Sequence, residues 1–174
     1  SGDGQWLYYE SVASGLLEKI RPAGGAPIVV RPQVGNTTPT PAVDGTALYY
    51  TVTLRLNVFG HEYSDKLIRC ARPEDGSAET LGTLPGDRIA GFSRFIDLVS
   101  SPDGQWLAVP LADGATTNIW VQPTAGGAMK PITDFGGRSI EIARTFSWTA
   151  DGRYIYAAIA ELEADIVLLD GLIS

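Results

Sequence analysis

Cysteine is almost missing from this chain. Its single copy, Cys70, excludes an internal disulfide and reads as a small hydrophobe within a strand. Positive charge is scarce too: 13 Lys and Arg stand against 20 Asp and Glu, for a net charge of −7. That balance argues against a basic face for nucleic acid or for an anionic membrane surface. No apolar run approaches the roughly 20 residues that span a bilayer. The chain does not start with the basic segment and apolar stretch of a secretory leader. Sustained helical periodicity is also lacking. So are the common catalytic signatures. Gly91-Phe92-Ser93-Arg94-Phe95 lacks the second glycine of a nucleophile elbow, and there is no H-E-x-x-H and no phosphate-cradling glycine loop. The calcium spacing D-x-D-x-D-G is absent as well. These gaps lead to the expectation of no catalytic residues, no metal and no cofactor.

Turn residues are plentiful instead, with 20 Gly and 11 Pro falling mostly between short apolar runs. Four runs follow an Asp-Gly pair: Asp3-Gly4-Gln5-Trp6-Leu7-Tyr8-Tyr9, Asp44-Gly45-Thr46-Ala47-Leu48-Tyr49-Tyr50, Asp103-Gly104-Gln105-Trp106-Leu107-Ala108-Val109 and Asp151-Gly152-Arg153-Tyr154-Ile155-Tyr156-Ala157. Asp caps a tight turn and Gly takes its positive φ, so each pair reads as a structural turn leading into a strand. Further strands follow in each copy: Leu16–Ile20, Leu67–Cys70, Asn118–Val121 and Asp165–Leu169. Third strands read at Pro27–Val30, Thr80–Leu84 and Lys130–Thr133, and strands before the turn at Ile96–Val99 and Thr145–Trp148. The repeating unit is an antiparallel meander of four strands. Spacings of 41, 59 and 48 residues between Asp-Gly pairs suit a propeller blade of about 40–50 residues. The longest spacing holds an insertion, roughly Val52 to Ser64, between the second and third strands of its blade.

The run Ser101-Pro102-Asp103-Gly104-Gln105-Trp106-Leu107-Ala108, then Asn118-Ile119-Trp120-Val121, Gly126-Gly127 and Ile132-Thr133, resembles the TolB-type, WD-like β-propeller repeat. The fourth copy agrees at Phe146-Ser147-Trp148, Asp151-Gly152 and Asp165-Ile166-Val167-Leu168. The resemblance implies an all-β fold: a partial propeller of three and a half to four blades, with copies at about 1–30, 41–84, 96–133 and 145–174. Fourteen strands are expected. The chain opens directly on a repeat, so it is expected to be one segment of a longer protein. Its remaining blades are expected upstream or in a second copy. Repeats of this kind occur in TolB, in prolyl-oligopeptidase and tricorn-type proteases, and in sensor regions attached to bacterial serine/threonine kinases or winged-helix regulators. The segment 165–173 is similar to the last group. The resemblance therefore implies a noncatalytic scaffold that binds a protein or peptide within a bacterial sensor or regulator. The alternatives are an accessory propeller of a kinase or peptidase, and a carbohydrate- or small-molecule-binding propeller. No compartment follows from the sequence.

Candidate binding residues come from two places. The insertion carries His61, the only histidine, with Glu62 and Tyr63 beside it; a long loop on a rigid blade is where binding usually resides. The connections between blades carry Arg31, Arg88, Arg94, Arg138 and Arg144, whose guanidinium forks suit a carboxylate or phosphate. Surface or inter-blade salt bridges are the plainer use of those arginines. Trp6, Trp106, Trp120 and Trp148 occupy repeat positions where packing of blade against blade is expected.

Overall fold

The computed structural model describes residues 1–11, 13–31, 38–58, 61–71, 78–84 and 97–161, with side chains there except at 53–58, 61–71 and 143–145. Each Asp-Gly pair builds the same turn. The glycines Gly4, Gly45, Gly104 and Gly152 all take φ between 69° and 72°, a region closed to most other residues. In the third copy Gly104 N–H donates to Ser101 O at 2.8 Å, and Ser101 N–H donates to Trp106 O at 2.8 Å. Ser101 Oγ donates to Asp103 Oδ1 at 2.5 Å and accepts from Trp106 N–H at 3.0 Å. Asp103 Oδ1 also accepts Gln105 N–H at 3.0 Å. Ser1 with Asp3, and Thr149 with Asp151, repeat the arrangement. The second copy has Ala42 in place of the hydroxyl residue, and Thr46 supplies both its N–H and its hydroxyl to Asp44 Oδ1.

These bonds need an ionised carboxylate, and they hold the aspartates below the ordinary value of 3.8. The Ser or Thr hydroxyl is the leading cause at Asp3, Asp103 and Asp151, and the Thr46 N–H at Asp44. Their folded pKa values are depressed, so their contribution is fully present above 3.8 and is lost as pH falls through the lower folded values. Urea midpoints are expected to hold from about pH 7 to about pH 5 and to drop below about pH 4. Changing all four aspartates to asparagine should flatten that drop. A drop of unchanged size would show that other carboxylates cause it.

Strands follow each turn. Leu7–Ser11 (β1), Leu16–Ile20 (β2) and Ile28–Arg31 (β3) form the first sheet. Thr40–Pro41 (β4), Leu48–Val58 (β5), His61–Ala71 (β6) and Ala78–Leu84 (β7) form the second. Val99–Ser100 (β8), Trp106–Asp113 (β9), Thr116–Pro123 (β10) and Lys130–Pro131 (β11) form the third, with order β8-β9-β10-β11. Ile140–Trp148 (β12) pairs with Ile155–Glu161 (β13) in the fourth. Every pairing is antiparallel, as a meander requires. The expected strand at 165–169 lies outside the described residues, which leaves 13 described strands against the 14 expected. β4 is the strand before the turn that completes the four expected of the second copy.

The first strands of successive blades, β4, β8 and β12, lie beside one another. Thr40 Oγ1 donates to Leu98 O at 2.6 Å, and Trp148 Nε1 donates to Val99 O at 3.2 Å, tying these inner strands together. Each apolar core is a seam between blades. The strand period of two sends alternate residues to opposite faces. In β5, Leu48 and Tyr50 face the first blade and cluster with Leu17. Tyr49, with Ala47 just before β5, faces the third blade and clusters with Leu107, Val109 and Leu111. In β9, Ala108 faces the fourth blade with Ile119, Ile140 and Phe146. A blade in the middle thus buries both faces.

Two expectations are corrected here. The insertion between Val52 and Ser64 is no loop between strands. β5 and β6 run through it, paired residue by residue from Leu48↔Ala71 to Val58↔His61, because alternating apolar residues continue the ladder. Arg144 does not lie in a connection between blades either. It sits inside β12, where the register shifts between Ile142 and Phe146.

Candidate functional site

The turns of the blades mark one end of the molecule, and the opposite end holds the candidate site. β7 runs from Ala78, opposite Ala71, to Leu84, opposite Lys66. Its exit therefore lies toward the tip of the β5–β6 hairpin. β3 leaves its blade in the same sense, with Arg31 opposite Leu17 near the β1–β2 turn. Glu161 ends β13 opposite Ile140, two residues after Arg138. Arg31, Arg138 and the hairpin thus share one end of the arc.

The hairpin is the longest element. β5 and β6 have 11 residues each. Counted from the leucine after the turn, β5 outruns β9, which ends at Asp113, by four residues. That is roughly 13 Å of extra reach at 3.3 Å per residue. His61 opens β6 opposite Val58, and Tyr63 pairs with Leu56. The sequence put His61 and Tyr63 in a loop; the ladder puts them on a strand at the tip.

Among the arginines, Arg138 is engaged. Its Nε and Nη2 donate to Glu161 Oε1 and Oε2 at 3.0 and 2.8 Å. The pair is exposed, and Arg138 holds the Glu161 carboxyl below its usual value. The fork of Arg138 is therefore already occupied, and an exposed pair of this kind contributes little to stability. Arg31 is the contrasting case. Nη1 makes one long contact to Val30 O at 3.5 Å, while Nε and Nη2 are buried and have no hydrogen-bond partner among the described residues. A desolvated guanidinium edge without an acceptor is costly, and a carboxylate or phosphate is the group that fits it bidentately. Arg88 and Arg94 lie outside the described residues.

The tryptophans divide. Trp106 and Trp148 pack in the seam between the third and fourth blades, and Trp120 packs in the seam between the second and third. Trp6 departs from expectation. It carries Lys19 at 4.4 Å and Arg21 at 4.6 Å over its ring, both from its own blade, and Trp106 carries Lys130 at 4.5 Å in the same way.

Two clefts open between the second and third blades. One, of about 320 Å³, is lined by Gly82, Thr83, Trp120, Gln122 and Met129. Gln122 is fully buried, and its Nε2 donates to Pro123 O and Gly127 O at 3.2 and 3.0 Å. The other, of about 230 Å³, lies at the turn end between Asp44, Tyr49 and Asp103. Oδ1 of both aspartates is committed to its own turn. No group of three or more His, Cys, Asp or Glu is placed to hold a metal among the described residues.

No protein-family model matches the chain, and no curated protein does. Solved structures do. TolB from Acinetobacter baumannii superposes with a TM-score of 0.64 at 17% identity, covering 92% of this chain and 39% of TolB. A structure from work on two prolyl endopeptidases superposes with a TM-score of 0.51 at 16% identity, covering 79% of this chain and 21% of the enzyme. The chain thus spans well under half the length of either. The inter-blade seams, the side-by-side inner strands and this likeness agree: the chain is a partial β-propeller with the TolB-like fold.

Proposed function

We propose that this segment is a noncatalytic propeller scaffold that binds a protein or peptide partner at the end of the arc carrying the β5–β6 hairpin. The hairpin is the observation that carries the reading. It projects roughly 13 Å past its counterpart in the third blade, at a strand rise of 3.3 Å per residue. A paired two-stranded arm on a rigid sheet presents side chains with little ordering cost on binding. Arg31 leaves its blade on the same end. Within a longer protein the scaffold would serve a sensor or regulator, its output lying in other segments.

The experiment shortens the arm. Leu54 pairs with Asp65 and Arg55 with Ser64, so replacing residues 55–64 by Asn-Gly leaves the lower ladder in register with a two-residue turn. The shortened chain is expected to keep its circular dichroism and to lose partner capture at least about tenfold, roughly 1.4 kcal/mol. Equal capture by both chains would overturn the reading.

A second reading has one observation in its favour. The likeness to a prolyl endopeptidase fits an accessory propeller that gates a neighbouring catalytic domain. A nucleophile elbow in the same open reading frame would favour it.

A further inference from the structure

The repeat assigns every residue after an Asp-Gly turn to a face. The third residue after the glycine points to the preceding blade, and the fourth points to the following one. At the third position Leu48 and Leu107 are fully buried, and Ile155 packs in the seam between the third and fourth blades. At the fourth position Tyr49 and Ala108 are buried, and Tyr8 packs in the seam between the first and second blades. The two ends of the arc break this rule. Leu7, the third-position residue of the first blade, is 56% exposed, and Val29, two strands away on the same face, is 52% exposed. Tyr156, the fourth-position residue of the last blade, is 68% exposed, and Tyr154 is 62% exposed.

These are seam residues without a seam. In each of the three existing seams the counterparts of Tyr156 and Leu7 share one cluster: Tyr8 with Leu48, Tyr49 with Leu107, and Ala108 with Ile155. One chain therefore carries both halves of a fourth seam, at opposite ends of its arc. We propose that the last blade of one copy docks on the first blade of a second copy, head to tail, with Tyr156 meeting Leu7. The contact is heterologous, so it either closes a ring or adds further copies in the same direction. The complementarity does not have to be supposed for an outside partner, because the chain already builds the same contact three times.

Sedimentation of the 174-residue chain over a concentration series tests this. The wild type is expected to associate reversibly, and Leu7→Lys or Tyr156→Glu alone should weaken association at least about tenfold. Both residues are exposed in a single copy, so circular dichroism should stay unchanged in each variant. Leu7→Lys combined with Tyr156→Glu places a lysine opposite a glutamate in every seam between copies and should recover part of the association. A wild type that stays monomeric at all concentrations would overturn the proposal, leaving the faces to blades from another chain segment. Association that survives either single change would also overturn it, since that contact would join like ends. So would a double variant no better than the singles.

Discussion

Leu107→Ala is expected to lower unfolding stability by about 3 kcal/mol, within the 2–5 kcal/mol seen for buried leucines. Leu107 is fully buried, and its side chain closes the seam of Ala42, Tyr49, Leu84 and Leu98. Truncation removes apolar contact and leaves a cavity between two sheets whose backbones are fixed by their own ladders. Neither sheet can collapse into the gap without breaking pairs such as Trp106↔Pro123 or Tyr49↔Cys70. The informative control is Leu7→Ala, the same residue at the same repeat position in the first blade. With 56% exposure it should cost no more than about 1 kcal/mol. Both are best measured by urea unfolding in a Tyr156→Glu background, so that self-association does not enter. Equal costs at the two leucines would refute the account of the core as seams between blades.

The second large effect falls on Gly82. Its backbone lies over the Gln122 side chain, and a Cβ there would sit 2.8 Å from Oε1 and 3.4 Å from the amide carbon. The glutamine cannot swing aside cheaply. It is fully buried, and its Nε2 is held by Pro123 O and Gly127 O. Gly82→Ala therefore forces the two blades apart or breaks both hydrogen bonds that the Gln122 amide donates, at about 1–3 kcal/mol. Gln122→Ala removes the obstruction, so the double variant should cost at least about 1 kcal/mol less than the sum of the singles. Additive losses would mean that Gly82 matters for its strand alone and not for the contact.

Much of the fold was legible because its signals are short-range. A turn such as Ser101 to Trp106 closes its hydrogen bonds within six residues, so the residue types on the page carry its geometry. The hydroxyl two residues before the aspartate was present in three of four copies, and it could have been read as part of the cap. Alternation of apolar residues then gave the strands. The extent of the hairpin was less legible: Val52 to Ser64 looked like an insertion because it departs from the repeat length, whereas backbone pairing continues through it whatever the neighbouring copies do. The arginines were the least legible. Arg138 finds Glu161 across 23 residues, while Nε and Nη2 of Arg31 have no acceptor among the described residues, and nothing in composition or spacing distinguishes the two.

By itself, the sequence determined the turns, the meander, the repeat and the face to which each strand residue belongs. Those depend on backbone preference and on a period of two, both local. Only the tertiary structure decided which of those faces meet. Leu7, Leu48 and Leu107 are the same residue in the same place, and one is open while two are sealed. Burial is a property of the neighbouring sheet, and a residue acquires it only when another blade stands against its face.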